Sequence, residues 1–218
     1  MSGTLLAAAG ADAPRHDTTR TRKIVLIAGT MTGHDKQTHE YEKNVILLKT
    51  LLDNAYNLHN VHTEVCFKGW PQNERILDDA DTIVWVTDGS DRHEKDHPLY
   101  IGDRMKVIEK QMRRGCGFMQ FHWSTFAPSR FHDQITEWGG GYFDYEKGNT
   151  SNHWYSAIQN YTGPVMLGAS EHPICRGVKP FTMEEEFYYR LRFRPADERV
   201  KPILLTRPPG ETQDYPVA

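Results

Sequence analysis

Histidine and acidic side chains directly follow three apolar stretches of this sequence, where buried strands would end. The first group is His34, Asp35, His39 and Glu40, the second is Asp88, Asp91, Arg92, His93 and Asp96, and the third is His122 and Trp123. Neutral imidazole transfers protons near pH 7. If the stretches are parallel strands, the three groups meet at one edge, because ligands of open α/β sheets bind at the carboxyl ends of strands. We therefore expect one polar site at that edge.

His122 is the best candidate for a catalytic group. The residues before it, Phe118 to Phe121, are predicted to form a buried strand, and a lone histidine there is usually a core residue with satisfied hydrogen bonds. Here the histidine meets the polar edge, so we predict that His122 acts as a general acid or base, helped by His39 and Glu40. Glu40 has a second interpretation, since an acidic residue in the first turn of a helix stabilises the helix dipole.

A metal cofactor is a second interpretation of the same groups. His34, His39 and His122 with Asp35 or Glu40 could bind a divalent metal, although their spacing matches no dedicated ligand motif. His34 could equally be a solvated loop residue. The sequence leaves the identity of any cofactor unknown.

Aromatic and acidic residues also collect later in the chain, in NHW at Asn152 to Trp154 and in EEEFYYR at Glu184 to Arg190. Aromatic faces beside carboxylates suit a sugar, whose C–H faces stack on rings while its hydroxyls bond the acids. The alternative is that Phe187 and Tyr189 simply pack in a core. We predict that Asp88, Trp123 and these later groups bind substrate.

Hydrophobic periodicity predicts the elements that position these groups. Strands are predicted at Lys23 to Ala28, His62 to Phe67, Asp81 to Asp88 and Phe118 to Phe121. Helices are predicted at about His39 to Tyr56, Met105 to Arg114 and Phe131 to Trp138. Later strand candidates are His153 to Ile158, Val165 to Leu167, Phe187 to Phe193 and Pro202 to Thr206. Alternating strands and helices are typical of a mostly parallel sheet with helices on both faces.

The composition argues against several partners. The net charge of −3, with both signs interspersed, gives no basic surface for nucleic acid. No apolar run approaches the roughly 20 residues that cross a bilayer, so no membrane partner is expected. The three cysteines form no CxxC pair, and no Walker loop, G-x-G-x-x-G or G-x-S-x-G motif is present. The oligomeric state stays open, and a homo-oligomer is compatible with the sequence.

The first 22 residues differ from the rest of the chain. Leu5 to Ala13 is small and apolar and ends in Ala-Asp-Ala, which resembles a signal-peptidase site, but no Lys or Arg precedes it. We interpret residues 1–22 as a disordered lead-in or the remnant of a signal segment, and residues 23–218 as one domain. The predicted location is the cytoplasm, or the periplasm or exterior if a signal peptide has been clipped.

Eight segments in order resemble the ThuA-like, or trehalose-utilisation, family, particularly its bacterial branch. They are KIVLIAG with THEYEKN, FKGWP, DDADTIVWVTDG, RRGCGFMQFHWSTFAP, ITEWGGGYF, NHW, EHPICRGVKPFTMEEEFYYRLRF and the late LLT. The resemblance spans about Lys23 to Pro209. It implies a flavodoxin-like α/β fold, the three-layer sandwich of class I glutamine amidotransferases, with a mostly parallel sheet.

The resemblance also implies where the site lies. The family pattern points to His34, His39, Glu40, Asp88, His122, His153, Glu185 and Tyr188. Family members continue into a further strand, so we expect the final strand segment to be missing here. In glutamine amidotransferases a nucleophilic cysteine occupies the turn that here carries His122, whereas Cys116 comes six residues earlier. Glutaminase chemistry is therefore not expected.

The expected function is that of a ThuA-like protein of carbohydrate utilisation, with trehalose or a related glycoside as the sugar ligand. We expect an enzyme, a hydrolase or isomerase, with His122, His39 and Glu40 as catalytic groups. The substrate-binding residues would be His34, Asp88, Trp123, His153, Trp154, Glu185 and Tyr188. The alternative is a non-catalytic carbohydrate-binding or regulatory module on the same scaffold.

Overall fold

A computed structural model describes residues 20–32, 37–146 and 154–217 of the chain. Within these ranges, no helix combines the length and the apolar character that crossing a membrane requires. The predicted site residues His34 and His153 lie outside the described residues.

A four-stranded parallel sheet forms the centre of the molecule. Its strands are β1 (Arg22–Ala28), β2 (Val61–Cys66), β3 (Thr82–Val86) and β4 (Gly117–Phe121), in the order β2-β1-β3-β4. The register pairs Ala28 with Val86 and Val86 with Phe121, so the carboxyl ends of the inner strands lie level. All four predicted strands are confirmed, and the polar groups that follow them share one edge.

Helices cover both faces of this sheet, as predicted. They are α1 (Tyr41–Asp53), α2 (Arg104–Arg113) and α3 (His132–Gly139). Val45 of α1 packs on one face, in the cluster that contains Leu26 and Val84. Ile108 of α2 packs on the other face, in the cluster that contains Trp85. The faces differ because successive side chains of a strand point to opposite sides.

Two helix ends differ in how well the sequence predicted them. Gly115 follows α2 with a φ of +86°, the left-handed conformation that glycine adopts without a Cβ clash, and ends the helix where the predicted segment Met105 to Arg114 ends. Helix α1 begins at Tyr41 rather than at His39, and Glu40 is its N-cap residue with no side-chain cap bond. His39 and Glu40 therefore precede the first turn of α1.

The second half of the chain forms a separate antiparallel sheet instead of extending the parallel one. Between the two sheets, β5 (Gly141–Tyr142) pairs with the short β8 (Arg192–Phe193). The second sheet contains β6 (Ala157–Leu167), β7 (Phe181–Tyr189), β9 (Leu204–Thr206) and β10 (Tyr215–Pro216), in the order β10-β9-β6-β7. The later strand candidates overlap these strands only in part. The candidate His153 to Ile158 meets β6 only at its last two residues, and Val165 to Leu167 is the other end of β6. The candidate Phe187 to Phe193 covers the end of β7 and all of β8, and Pro202 to Thr206 contains β9.

Candidate functional site

His122 occupies a strained turn at the carboxyl end of β4. Its φ of +52° lies in the left-handed region, and the chain then makes a 3₁₀ turn over His122–Thr125. The single O–H of Ser124 lies within hydrogen-bond distance of the carbonyl oxygens of Phe121 (2.7 Å) and Trp85 (3.0 Å), so its donated bond ties the turn to the ends of β3 and β4. A non-glycine residue in this conformation costs about 1–2 kcal/mol. Such strain is found mostly where it positions a functional group.

Three polar groups from other parts of the chain converge on the His122 ring. Its Nε2 lies 3.1 Å from Nε2 of His39, 3.2 Å from a carboxylate oxygen of Glu186, and 3.3 Å from the hydroxyl of Tyr188. The Tyr188 ring also stacks on the imidazole, with centroids 4.5 Å apart. The side chains of His122 and Glu186 are about one-third exposed, at 34% and 35%, so solvent or a ligand can reach them.

Buried aromatic and acidic groups support His39. Its ring stacks on Tyr41, whose hydroxyl donates to Asp88. Asp88 is fully buried and also accepts a bond from the backbone N–H of Thr32 at 2.7 Å. Burial, reinforced by the bond to Asp88, raises the pKa of Tyr41 far above its ordinary value. Asp88 thus fixes Tyr41 beneath His39, and its predicted contact with substrate stays a prediction.

Trp123 forms the other support of His39, with ring centroids 5.3 Å apart. Only 5% of Trp123 is exposed, and its indole N–H donates to Asp91 at 2.8 Å. Burial raises the pKa of the Asp91 carboxyl. A Cβ on Gly89 would come within 2.5 Å of the indole nitrogen, so only glycine allows the ring this position. Trp123 therefore packs behind the site, and its predicted role in substrate binding stays a prediction.

Glu186 is a carboxylate beside His122 that the sequence did not predict. On β7, Phe187 and Tyr189 are buried, at 4% and 8% exposure, so Glu186 and Tyr188 share the opposite face. The hydrogen bond to His122 holds the pKa of Glu186 below its usual value. The predicted Glu185 is exposed, and its Oε1 accepts the Glu186 N–H at 2.9 Å. Side chains alternate between the two faces of a strand, so the run EEEFYYR could have predicted that Glu186 and Tyr188 share one face.

The remaining predicted residues lie around this centre. The Oε1 of Glu40 accepts the backbone N–H of Gln37 at 3.2 Å and lies 2.9 Å from the Lys43 ammonium. Trp154 is 43% exposed and packs edge-on against Phe126 at 5.7 Å. The roles predicted for Glu40, Glu185 and Trp154 stay predictions, as do those of His34 and His153.

A cleft of about 320 Å³ opens beside His122 and is lined in part by Glu185, Glu186 and Tyr188. A larger groove of about 700 Å³ continues along β4, where it is lined mainly by apolar residues such as Phe118 and Met119. The two spaces share Gln120, Thr125, Leu191 and Val217 as lining residues. The cleft and groove therefore adjoin.

Cys116 lies at the other end of the sheet from this site. It immediately precedes β4, whereas His122 immediately follows it. Burial raises the pKa of the Cys116 thiol to about 11, so the thiol is protonated at neutral pH. The turn after β4 carries the His122 imidazole and no thiol.

One group of described residues could hold a metal ion. The ligand atoms of His39, His122 and Glu186 all lie within 4.8 Å of one another. Two imidazole nitrogens and a carboxylate oxygen are a ligand set that suits borderline divalent ions such as Zn²⁺.

Comparison with known proteins shows the fold. A solved structure from Bacteroides uniformis ATCC 8492, designated a ThuA-like protein, matches with a TM-score of 0.60 at 15% sequence identity. The match covers 98% of this chain and 80% of that chain. No family model matches the sequence, and no curated protein matches it. The chain thus has the mixed α/β, flavodoxin-like fold of this neighbour, with a parallel four-stranded sheet between helices.

Proposed function

We propose that this chain is a ThuA-like enzyme of carbohydrate utilisation that transfers protons on a sugar derivative, in a hydrolytic or isomerising reaction. The reaction takes place in the cleft beside His122. The family assignment is supported by the eight ordered segments of the sequence and by the fold shared with the Bacteroides uniformis protein.

The observation that carries this proposal is the convergence of proton-carrying groups on His122. The His39 imidazole, the Glu186 carboxylate and the Tyr188 phenol, which come from the segment before α1 and from β7, lie within 3.3 Å of the His122 Nε2. Acid/base catalysis needs such groups within hydrogen-bond reach of the reacting atoms. The left-handed backbone at His122 also supports a functional role, since strained backbone conformations cluster at functional sites.

A sugar suits the surroundings of this cluster. Glu185 and Glu186 line the cleft and can accept bonds from hydroxyl groups. Trp154, with 43% of its surface exposed, offers a ring face to C–H groups. In this proposal His34, Asp88, Trp123 and His153 keep their predicted binding roles, and Glu40 assists His39.

Glutaminase chemistry is not part of the proposal. It would need a thiolate at the turn after β4, and His122 stands there, while Cys116 is protonated at the opposite end of the strand.

The proposal is tested by replacing His122 with Asn, which tolerates the left-handed conformation while removing the imidazole. Purified protein is incubated with trehalose, other glycosides and their oxidised forms, and the products are followed by NMR. Turnover should fall by at least about 100-fold in His122→Asn, because a lost general acid or base has that effect. The far-UV circular dichroism should not change.

Retained turnover in His122→Asn would remove His122 from the mechanism. Calorimetry on the same compounds separates the enzyme from the non-catalytic module. Sugar binding without turnover by the wild-type protein, with or without divalent ions, would favour the module.

A further inference from the structure

The contacts around His122 exceed what a single ring nitrogen can satisfy. An imidazole Nε2 carries either one proton or one lone pair, so it makes one good hydrogen bond. Here the same nitrogen faces His39 at 3.1 Å, Glu186 at 3.2 Å and Tyr188 at 3.3 Å. A cation among these atoms would use the lone pairs of both imidazoles and of the carboxylate at once.

The spacing of these atoms fits a bound ion. Ligand atoms about 2.0–2.1 Å from a tetrahedral zinc lie about 3.3 Å from each other. The His39–His122 and His122–Glu186 separations are 3.1 and 3.2 Å. The third separation, between His39 and Glu186, is within 4.8 Å. Rotation of the partly exposed Glu186 carboxylate can shorten this separation between His39 and Glu186.

Each ligand comes from a different part of the fold and is held in place by its neighbours. His122 is fixed by the turn after β4, and Glu186 by β7, which pairs with β6 along its whole length. His39 is stacked between Tyr41 and Trp123. Such preorganisation favours binding, because little side-chain freedom is lost when the ion arrives.

We infer that His39, His122 and Glu186 bind one divalent transition-metal ion of the Zn²⁺ type, with open coordination positions facing the cleft. Two histidines and one carboxylate are a three-ligand set of the kind that leaves room for substrate. This inference refines the proposed function, since an imidazole that holds an ion cannot also carry the proton. The Tyr188 hydroxyl, 3.3 Å from Nε2 of His122, is the neighbouring side chain that then remains to carry it.

Calorimetric titration of chelator-treated protein with Zn²⁺ tests the site. The wild type should bind one ion per chain, and Mg²⁺ should bind far more weakly, because imidazole is a poor ligand for a hard cation. His122→Asn and Glu186→Gln should each weaken Zn²⁺ binding by more than about 100-fold. Loss of a residue that only hydrogen-bonds a metal ligand already lowers metal affinity 10–100-fold.

Glu184→Gln is the matched control. It removes the same charge from the same side of β7, at the position that pairs with Thr162, and Glu184 does not line the cleft. This variant should bind Zn²⁺ as the wild type does. Absence of Zn²⁺ binding by the wild type, or binding that neither ligand substitution weakens, overturns the inference.

A measurement on the wild type alone guards against variants that fail to fold. The Co²⁺-loaded protein should show visible d–d absorption and shifted proton NMR signals from two imidazole N–H groups, and absence of those two signals overturns the site. The outcomes also separate this inference from the proposed function. Zn²⁺ binding without sugar turnover contradicts only the function, whereas turnover by protein that binds no Zn²⁺ contradicts only the metal site.

Discussion

The left-handed backbone at His122 is the residue-scale feature that links structure to chemistry. Histidine tolerates this conformation better than most residues, but it still costs about 1–2 kcal/mol. The surrounding bonds from Ser124 and Thr125 hold the turn, since Thr125 Oγ1 donates to the His122 carbonyl at 2.7 Å. The result is an imidazole that projects beyond the end of β4 into the cleft instead of back into the core.

The buried hydroxyl of Tyr41 should contribute measurably to stability. In Tyr41→Phe the Asp88 carboxylate, which is fully buried, loses the hydroxyl donor that bonds Oδ1. A buried polar group left unpaired costs about 1–3 kcal/mol. Urea unfolding of Tyr41→Phe should therefore give a free energy of unfolding lower by that amount.

Tyr100→Phe provides the matched control. The Tyr100 hydroxyl is buried and has no hydrogen-bond partner among residues 20–32, 37–146 and 154–217. Its removal should leave stability unchanged or raise it by up to about 1 kcal/mol. An equal decrease in the free energy of unfolding in Tyr41→Phe and Tyr100→Phe would mean that the bond to Asp88 does not contribute to stability.

At the scale of elements, the start of α1 decides which acidic residue reaches the site. Because α1 begins at Tyr41, His39 is left in the preceding loop, where it meets His122. Glu40, as the N-cap residue, is engaged by the Gln37 N–H and by Lys43. Its carboxylate is thus placed to stabilise the positive end of the helix.

Glu40→Gln distinguishes this structural role from the predicted catalytic one. Loss of a charge at a helix N-terminus should lower the free energy of unfolding by about 0.3–1 kcal/mol, measured by urea unfolding. If Glu40 also assists His39 in catalysis, turnover should fall together with that of His122→Asn. Turnover at the wild-type level would show that Glu40 stabilises α1 and has no role in catalysis.

At the scale of the whole molecule, the site exists because two sheets meet. The parallel sheet contributes His122 and supports His39 through α1, while β7 of the antiparallel sheet contributes Glu186 and Tyr188. Phe126, Phe143 and Tyr188 pack together between the two sheets, with the Phe143 and Tyr188 centroids 5.3 Å apart. Damage to this aromatic junction would separate His122 from Glu186 and Tyr188 even though each sheet remained intact.

The buried His97 should make the whole fold sensitive to acid. Burial lowers its pKa from 6.5 to about 3, and its Nε2 lies 3.1 Å from the Ser124 carbonyl. Below pH 6.5 the unfolded chain takes up a proton that the folded chain refuses, so stability falls as pH decreases from 6.5 towards 3. From pH 7 to pH 5, protonation of His97 in the unfolded chain should lower the free energy of unfolding by about 2 kcal/mol.

His97→Asn isolates that contribution, because Asn keeps an acceptor for the Leu99 N–H that His97 Nδ1 now binds. Urea unfolding at pH 7 and pH 5 gives the fall in the free energy of unfolding between the two. That fall should be about 2 kcal/mol smaller in the variant than in the wild type. The same loss in both proteins would show that His97 takes up its proton while folded.

Local sequence pattern was sufficient for the parallel half of the fold. The runs KIVLIA and DTIVWVTD are short, β-branched and apolar, and each is followed by polar residues, as in buried parallel strands. Three-residue and four-residue spacing located α1 and α2 within a few residues. The antiparallel sheet was less predictable, because its strands are half exposed and their pairing depends on contacts that no local period records.

The sequence by itself determined the parallel sheet, and it predicted a polar site at the carboxyl edge with His122 and His39, whose Nε2 atoms lie 3.1 Å apart. Only the tertiary structure decided that Glu186 is the carboxylate that meets them and that Asp88 is buried as a support. Tyr188 lies 66 residues from its partner His122. Contacts between residues so far apart in the sequence depend on how the faces of two sheets pack together. The spacing of hydrophobic residues within one element does not encode that packing.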